Sequence, residues 1–392
     1  MNMPNRWLVL AILTLARTTM GVQFQSIASF GPELVSRTGM SYAALGTLIG
    51  IYLLPGMFLS IPGGWLGNRF GDKKVLQSGL LLMMTGGVVL SLSSSYELMF
   101  AARLLSGIGA ILLNVMVTKM VADWFAESRL VSAMSILISS WPLGIALALV
   151  ITAPLAELVG VAWAFSLPIY LCAMTFVFMQ IVYPTPTVSH SNSRVPILRS
   201  LAGLSGFEFR GLILSGLVWC FFNVALIIPI SFGPEFLTSR GYDLAEAGFL
   251  VSLTGWVVIV TLPAGGWFSE KLGKPVATIV VTFVLCAILF LIIPNSESYL
   301  LLFIVLGIVA GPAGGVIMAM PARILRQENR SMGMGFFLAI YYAGMGLIPF
   351  LAGLVRDMTN NPASPFWLAV VCMLIAIPAV FGYQRLVRSE QV

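Results

Sequence analysis

Charge is what this chain has least of. Of its 392 residues only 9% are Asp, Glu, Lys or Arg, while 59% are hydrophobic. Soluble domains carry about 25% charged residues, so this composition cannot clothe a water-exposed surface. Histidine occurs once, as His190 in a polar stretch, and the four cysteines (Cys172, Cys220, Cys286, Cys372) sit singly in apolar runs. Neither a metal site nor a disulfide framework has the ligands or the spacing it needs. No nucleophile–base grouping is present either, so an enzyme is the least expected class and no cofactor is expected. Acids are missing from one place in particular. Glu33, Glu157 and Glu235 fall near the ends of apolar runs, and no Asp or Glu lies deeper.

Long apolar runs are what the chain does have. Several approach or exceed the ~20 residues that cross a bilayer. Hydropathy predicts twelve spans, at 7–35, 43–67, 74–94, 97–122, 129–154, 160–183, 211–236, 245–268, 276–294, 298–321, 331–355 and 364–386. The expected fold class is an all-α membrane protein with twelve transmembrane helices. Arg6 precedes the first run and no small-residue cleavage site follows it, so the run reads as a retained span. The one long polar stretch, 184–210, is the expected linker between a first half, 1–183, and a second, 211–392.

Lys and Arg crowd one set of loops, among them Arg69, Lys73, Lys74, Lys271, Lys274, Arg326 and Arg330. The other set holds Arg37, Arg240 and Arg356. By the positive-inside rule both termini lie in the cytoplasm of a cell bounded by an inner membrane. The net charge of +6 is then a property of loops beside a lipid bilayer and does not call for nucleic acid.

The two halves repeat one another. Pro62-Gly63-Gly64-Trp65-Leu66-Gly67-Asn68-Arg69, set between apolar runs, returns as Pro263-Ala264-Gly265-Gly266-Trp267-Phe268-Ser269-Glu270-Lys271. Ser29-Phe30-Gly31-Pro32-Glu33 returns as Ser231-Phe232-Gly233-Pro234-Glu235, and Glu127-Ser128-Arg129 as Glu328-Asn329-Arg330. Two six-helix bundles in the same orientation are related by an axis along the membrane normal, with a substrate site near the midplane between them.

Gly64-Trp65-Leu66-Gly67-Asn68-Arg69-Phe70-Gly71-Asp72-Lys73-Lys74 resembles the loop 2–3 signature of the major facilitator superfamily. Arg103-Leu104-Leu105-Ser106-Gly107-Ile108-Gly109 resembles its second signature. The resemblance implies the major facilitator fold of two pseudo-symmetric six-helix bundles. It also implies coupling or conformational roles for Arg69, Asp72, Arg103, Glu270 and Lys271. Asn68 departs from the pattern, which usually has Asp there, whereas the second copy keeps an acid, Glu270. The inter-helix charge lock of the first half therefore falls to Asp72 or is missing. Within the superfamily, Arg17-Thr18-Thr19-Met20-Gly21-Val22-Gln23-Phe24-Gln25 looks most like the cyanate and nitrate/nitrite porters. Those for nitrate carry arginines within spans two and eight, and neither span here has one at depth.

Ionisable residues inside a membrane cost on the order of 2.5–3.5 kcal/mol at the centre and mark function by default. Three qualify: Arg17, Arg103 and Lys119. Arg17 lies 11 residues beyond Arg6, about 16 Å along a helix and near the midplane. Gly21, Phe24 and Gln25 share its face. A guanidinium suits bidentate capture of a planar anion, or else donates to backbone carbonyls of a neighbouring helix. Arg103 shares a face with Asn114 across Gly107 and Ala110, a small-residue stripe suited to close packing, and serves coupling or structure equally well. Lys119 faces away near the inner rim, where it can snorkel. In the second half Trp219 is the repeat counterpart of Arg17, with Asn223 one turn on. Trp256, Tyr341 and Tyr342 are further candidates to line a cavity, although helix packing is the plainer account of any one of them. Trp141-Pro142-Leu143-Gly144 and Gly311-Pro312-Ala313-Gly314-Gly315 are candidate gating points, and packing explains them equally.

Interior cations without protein acids need an anion, and a substrate supplies it. The expectation is a secondary transporter of a small anion, an organic carboxylate or a cyanate-like ion, acting as a monomer by alternating access. Arg17 holds the charge, and Phe24, Gln25, Asn114, Trp219, Asn223, Trp256, Tyr341 and Tyr342 shape the site. Anion exchange, facilitated diffusion and proton symport through groups not visible here all stay open. An efflux transporter for hydrophobic compounds predicts an acid at depth. A receptor or scaffold on this fold predicts an appended soluble domain, which a polar stretch under 30 residues does not provide.

Overall fold

The computed structural model describes residues 5–125, 129–183 and 203–390, and among them every regular element is a helix. Eleven of these helices are long and apolar enough to cross a membrane. Span one is Arg6–Ser29, carried on by Gly31–Thr38. Spans three to five are Asp72–Leu92, Tyr96–Phe125 and Leu130–Val159. Span six is Val161–Phe165 with Leu167–Val182. Spans seven to twelve are Gly206–Thr238, Leu244–Leu272, Pro275–Ile292, Tyr299–Ile324, Arg330–Thr359 and Ser364–Glu390.

The twelfth traverse is span two, which is broken. It runs as Tyr42–Gly50, Gly56–Leu59 and Gly63–Phe70. Pro55 and Pro62 each remove a backbone donor inside an apolar run that reads as continuous. The chain tightens around them into i→i−3 bonds, Leu53 to Gly50 at 2.9 Å and Gly56 to Leu53 at 2.9 Å.

Span seven starts at Gly206, five residues before the hydropathy pattern places it. A capping box sets the earlier start: Glu208 N–H donates to Ser205 Oγ (3.1 Å) and Ser205 N–H to the Glu208 carboxylate (2.8 Å). Arg326 and Asn329, before span eleven, donate to the same carboxylate. Glu208 holds the Arg326 guanidinium above its ordinary value.

Glycine decides how closely the helices approach. A Cβ on Gly144 of span five would overlap the Thr18 carbonyl of span one and lie 2.9 Å from Gly21 Cα. Spans three and four meet through Gly79 and Gly109 in the same way, and spans eight and ten through Gly265 and Gly311. Hydrogen bonds add to the second contact, Thr254 donating to the Phe303 carbonyl (3.0 Å) and Thr261 to that of Gly307 (2.8 Å).

The start of span one and the end of span twelve lie at one face, here the terminal face, because an even number of traverses returns there. The two bundles are pinned together at the opposite, far face. Spans two and eleven touch backbone to backbone at Gly46 with Pro349 and at Gly353 with Tyr42, and spans five and eight at Leu149 with Gly248. Asp357 accepts from the N–H groups of Tyr42 (2.9 Å) and Ala43 (2.8 Å), capping the first piece of span two from across the seam. Beside it Arg356 pairs with Glu235 of span seven at 2.9 Å and lies 4.6 Å over the Tyr42 ring.

Candidate functional site

A cavity of about 240 Å³ starts beneath the far-face contacts and runs between the bundles toward the terminal face. Span one contributes Arg17 and Met20, span four Asn114, and span five Trp141, Pro142 and Ile145. From the other bundle come Trp219 and Asn223 of span seven, Gly314 and Met318 of span ten, and Tyr341 and Tyr342 of span eleven. No carboxylate among the described residues lines it.

Among the described residues Arg17 is the only charged side chain on this wall. Its Nε donates to Asn114 Oδ1 (2.8 Å) and one Nη to the Leu137 carbonyl of span five (2.7 Å). The other Nη has no hydrogen-bond partner among the described residues. Both sequence readings of Arg17 therefore hold in part: one arm is structural, and the rest of the fork is available. Asn114 turns its amide the other way and donates to Tyr342 Oη at 2.9 Å. Arg17, Asn114 and Tyr342 thus form a polar chain from one bundle to the other.

The opposite wall is aromatic. The Tyr341 ring lies 4.8 Å from that of Tyr342, tilted by 56°, and Trp219 lies 6.1 Å from Tyr341 and 5.9 Å from Phe222. Asn223 donates back to the Trp219 carbonyl (2.8 Å), which fixes its amide and leaves its oxygen as an acceptor.

Three expected residues are elsewhere. Phe24 is fully buried between the rings of Trp141 (5.2 Å) and Tyr52 (6.0 Å), behind the wall. Gln25 is buried at the seam with span seven, its amide 3.4 Å from the Ile230 carbonyl. Trp256 is 37% exposed and turned away from the cavity, because its neighbour Gly255 is the residue that faces inward.

The family model for the Major Facilitator Superfamily matches residues 8–306 and 211–391. The chain belongs to the Major Facilitator Superfamily. The superfamily is one of membrane transporters, and relatives run nearly the full length. An uncharacterized transporter YycB of Bacillus subtilis (strain 168) is 24% identical, covering 96% of this chain and 92% of its own. A hexuronate transporter of the same organism is 21% identical, with 96% and 94% covered. Among solved structures, a point mutant of the nucleoside transporter NupG superposes with a TM-score of 0.79 at 16% identity, over 97% of this chain and 100% of that one. That likeness shows the fold.

The other residues singled out in this major facilitator chain lie outside the cavity. Arg103 is fully buried and donates to three backbone carbonyls, Leu48 (2.9 Å), Gln23 (2.7 Å) and Phe24 (3.1 Å), with the Tyr52 ring 4.4 Å beneath it. It clasps spans one and two to span four. Lys119 pairs with Asp72 at 2.7 Å, joining the end of span four to the start of span three. Arg69 is exposed over the rings of Trp65 and Phe70, and Lys271 is exposed at the end of span eight. The side chains of Asn68 and Glu270 lie outside the described residues, as do Glu127 and Ser128.

Glu33 and Glu235, repeat counterparts, have parted ways. Glu33 makes an exposed pair with Arg37 one turn along (2.9 Å), whereas Glu235 enters the far-face contact with Arg356. Sequence reasoning missed that contact. Its partners, Tyr42, Arg356 and Asp357, sit at span ends where polar residues attract no notice.

Proposed function

We propose that this transporter moves a small anion, an organic carboxylate or a cyanate-like ion, across the inner membrane, with Arg17 holding the charge. One observation carries the reading: a guanidinium with N–H groups that no described residue accepts faces a cavity between the bundles that no described acid lines. An arginine fork matches a planar anion with two parallel hydrogen bonds. Asn114 orients the fork, Asn223 and the two tyrosines offer polar contacts, and Trp219 covers an organic body. The volume is below the 300–1,000 Å³ of sites for drug-sized ligands, which favours a small solute over drug efflux. A relative named for hexuronate, an organic anion, agrees with this class.

The terminal face is cytoplasmic in this proposal, by the Lys and Arg bias. The two halves, 1–183 and 211–392, rock about the site on the 184–210 linker. The far-face contacts then hold the carrier shut on the outside, and opening them is the step that admits substrate there. Exchange for a second anion, symport with a proton and unaided passage of the anion alone are all compatible with this site.

Thermal unfolding of the purified protein against a panel of small anions tests the reading. A carboxylate or cyanate-like ion should raise the melting temperature of the parent protein and leave that of Arg17→Ala unchanged. A ligand that stabilises a folded Arg17→Ala protein equally would end the case for Arg17.

A further inference from the structure

The larger cavity, about 680 Å³, is elsewhere. It is a groove at the terminal face, between the start of span nine and the ends of spans ten and twelve. Three cations rim it, one from each helix end or its lead-in: Lys274, Arg323 and Arg388. All three are exposed, and none forms an ion pair with a described residue. No carboxylate among the described residues lines the groove. Below the cations the wall changes character within one or two helical turns, to Val276, Val280, Val281 and Phe381. Val281 and Phe381 are 55% and 45% exposed on the outer surface of the helices, where a bilayer would meet them.

A soluble anion would use the cations and leave the apolar wall in water. An acyl chain would use the wall and leave three like charges uncompensated. One ligand uses both: a phosphate at the level of the helix ends with hydrocarbon running down between spans nine and twelve. We propose that this groove binds an anionic phospholipid of the leaflet at the terminal face. Basic pockets between helix ends on the cytoplasmic side suit such headgroups. Span nine adds to the attraction, since it begins with Pro275 after Lys274 and turns the free N–H groups of its first turn toward the same rim. The occupant ties spans nine, ten and twelve together at one end without touching the central cavity, so lipid composition would act on stability and not on substrate choice.

The test is native mass spectrometry of the full chain in detergent, with dioleoyl phosphatidylglycerol and dioleoyl phosphatidylcholine offered in equal amounts. Selective retention of phosphatidylglycerol is expected. The triple variant Lys274→Gln, Arg323→Gln, Arg388→Gln should weaken it on the order of a hundredfold, at about a factor of five per surface cation. A control triple, Arg210→Gln, Arg330→Gln, Arg385→Gln, removes the same charge from exposed positions of the same face off the groove, and should retain the lipid. Ala277→Trp fills the groove without altering charge and should also release it. Equal retention of both lipids, equal loss in the control triple, or displacement by soluble glycerol 3-phosphate would each overturn the proposal. The last would reassign the rim to a soluble phosphate.

Discussion

Asp357→Ala should open the far face. The carboxylate accepts two backbone N–H groups of the other bundle, from Tyr42 and Ala43, at the N-terminus of a helix. A hydrogen bond to a charged group contributes about 1.5–3 kcal/mol. These two share one acceptor group near solvent, so together they are worth about 2–3 kcal/mol, the lower value after screening. Both bridge the seam and exist only while the bundles are closed there, so the whole of that energy bears on the opening equilibrium. At 1.4 kcal/mol per factor of ten, 2 kcal/mol is about thirtyfold, which takes a closed-to-open ratio of about 99:1 to about 3:1. Asp357→Asn keeps one acceptor oxygen and should fall between. Spin labels at Ser36→Cys and Glu297→Cys report the separation of the bundles at this face by pulsed dipolar spectroscopy. The four native cysteines are buried and will not compete for label. A lengthened distance population in Asp357→Ala, larger still with Arg356→Ala added, is the expected result. An unchanged distribution in the folded double variant would refute the idea that these contacts hold the face shut.

Other consequences are simpler to measure. Arg103→Met removes three hydrogen bonds that clasp spans one and two, and should lower stability by about 2–4 kcal/mol in thermal unfolding while leaving anion selectivity alone. Gly144→Ala drives a methyl into the span-one backbone and should cost about 1–3 kcal/mol, whereas Gly206→Ala, which meets nothing within 4 Å, should cost little. Trp219→Ala enlarges the cavity wall opposite Arg17. Binding assays should then show weaker capture of the preferred anion and a relative gain for bulkier ones.

Much of this is legible in the residues alone. The spans, the repeat and the family follow from apolar run length and from recurring short motifs. Arg17, Asn114, Trp219, Asn223, Tyr341 and Tyr342 stand out because interior polarity is costly, and the chain folds so that they share one cavity. Phe24 and Gln25 share the face of Arg17 in helical arithmetic but look at neighbouring helices. Span one is buried over 67% of its crossing stretch, so nearly every face of it meets protein and its face alone does not point to the cavity. The break in span two hides from a hydropathy window because Pro55 and Pro62 sit among apolar residues that keep the average high. The Asp357 contact hides for another reason. A carboxylate bonded to backbone N–H groups 315 positions away leaves no mark on the residue types at the other end.

If Arg17 holds the substrate's charge as proposed, its fixed positive charge, in a cavity that no described acid lines, also makes this protein sensitive to voltage. When such a site is empty, switching its access from one face to the other moves one elementary charge through the membrane field, up to about 2.3 kcal/mol per 100 mV. A monovalent anion, the substrate proposed above, would cancel that charge, so the loaded carrier would cross without electrical work. An inside-negative potential therefore retains the empty carrier open to the cytoplasm and leaves the loaded one indifferent. In the proposed cycle that asymmetry gives the cell's potential a hand in the return step, through Arg17.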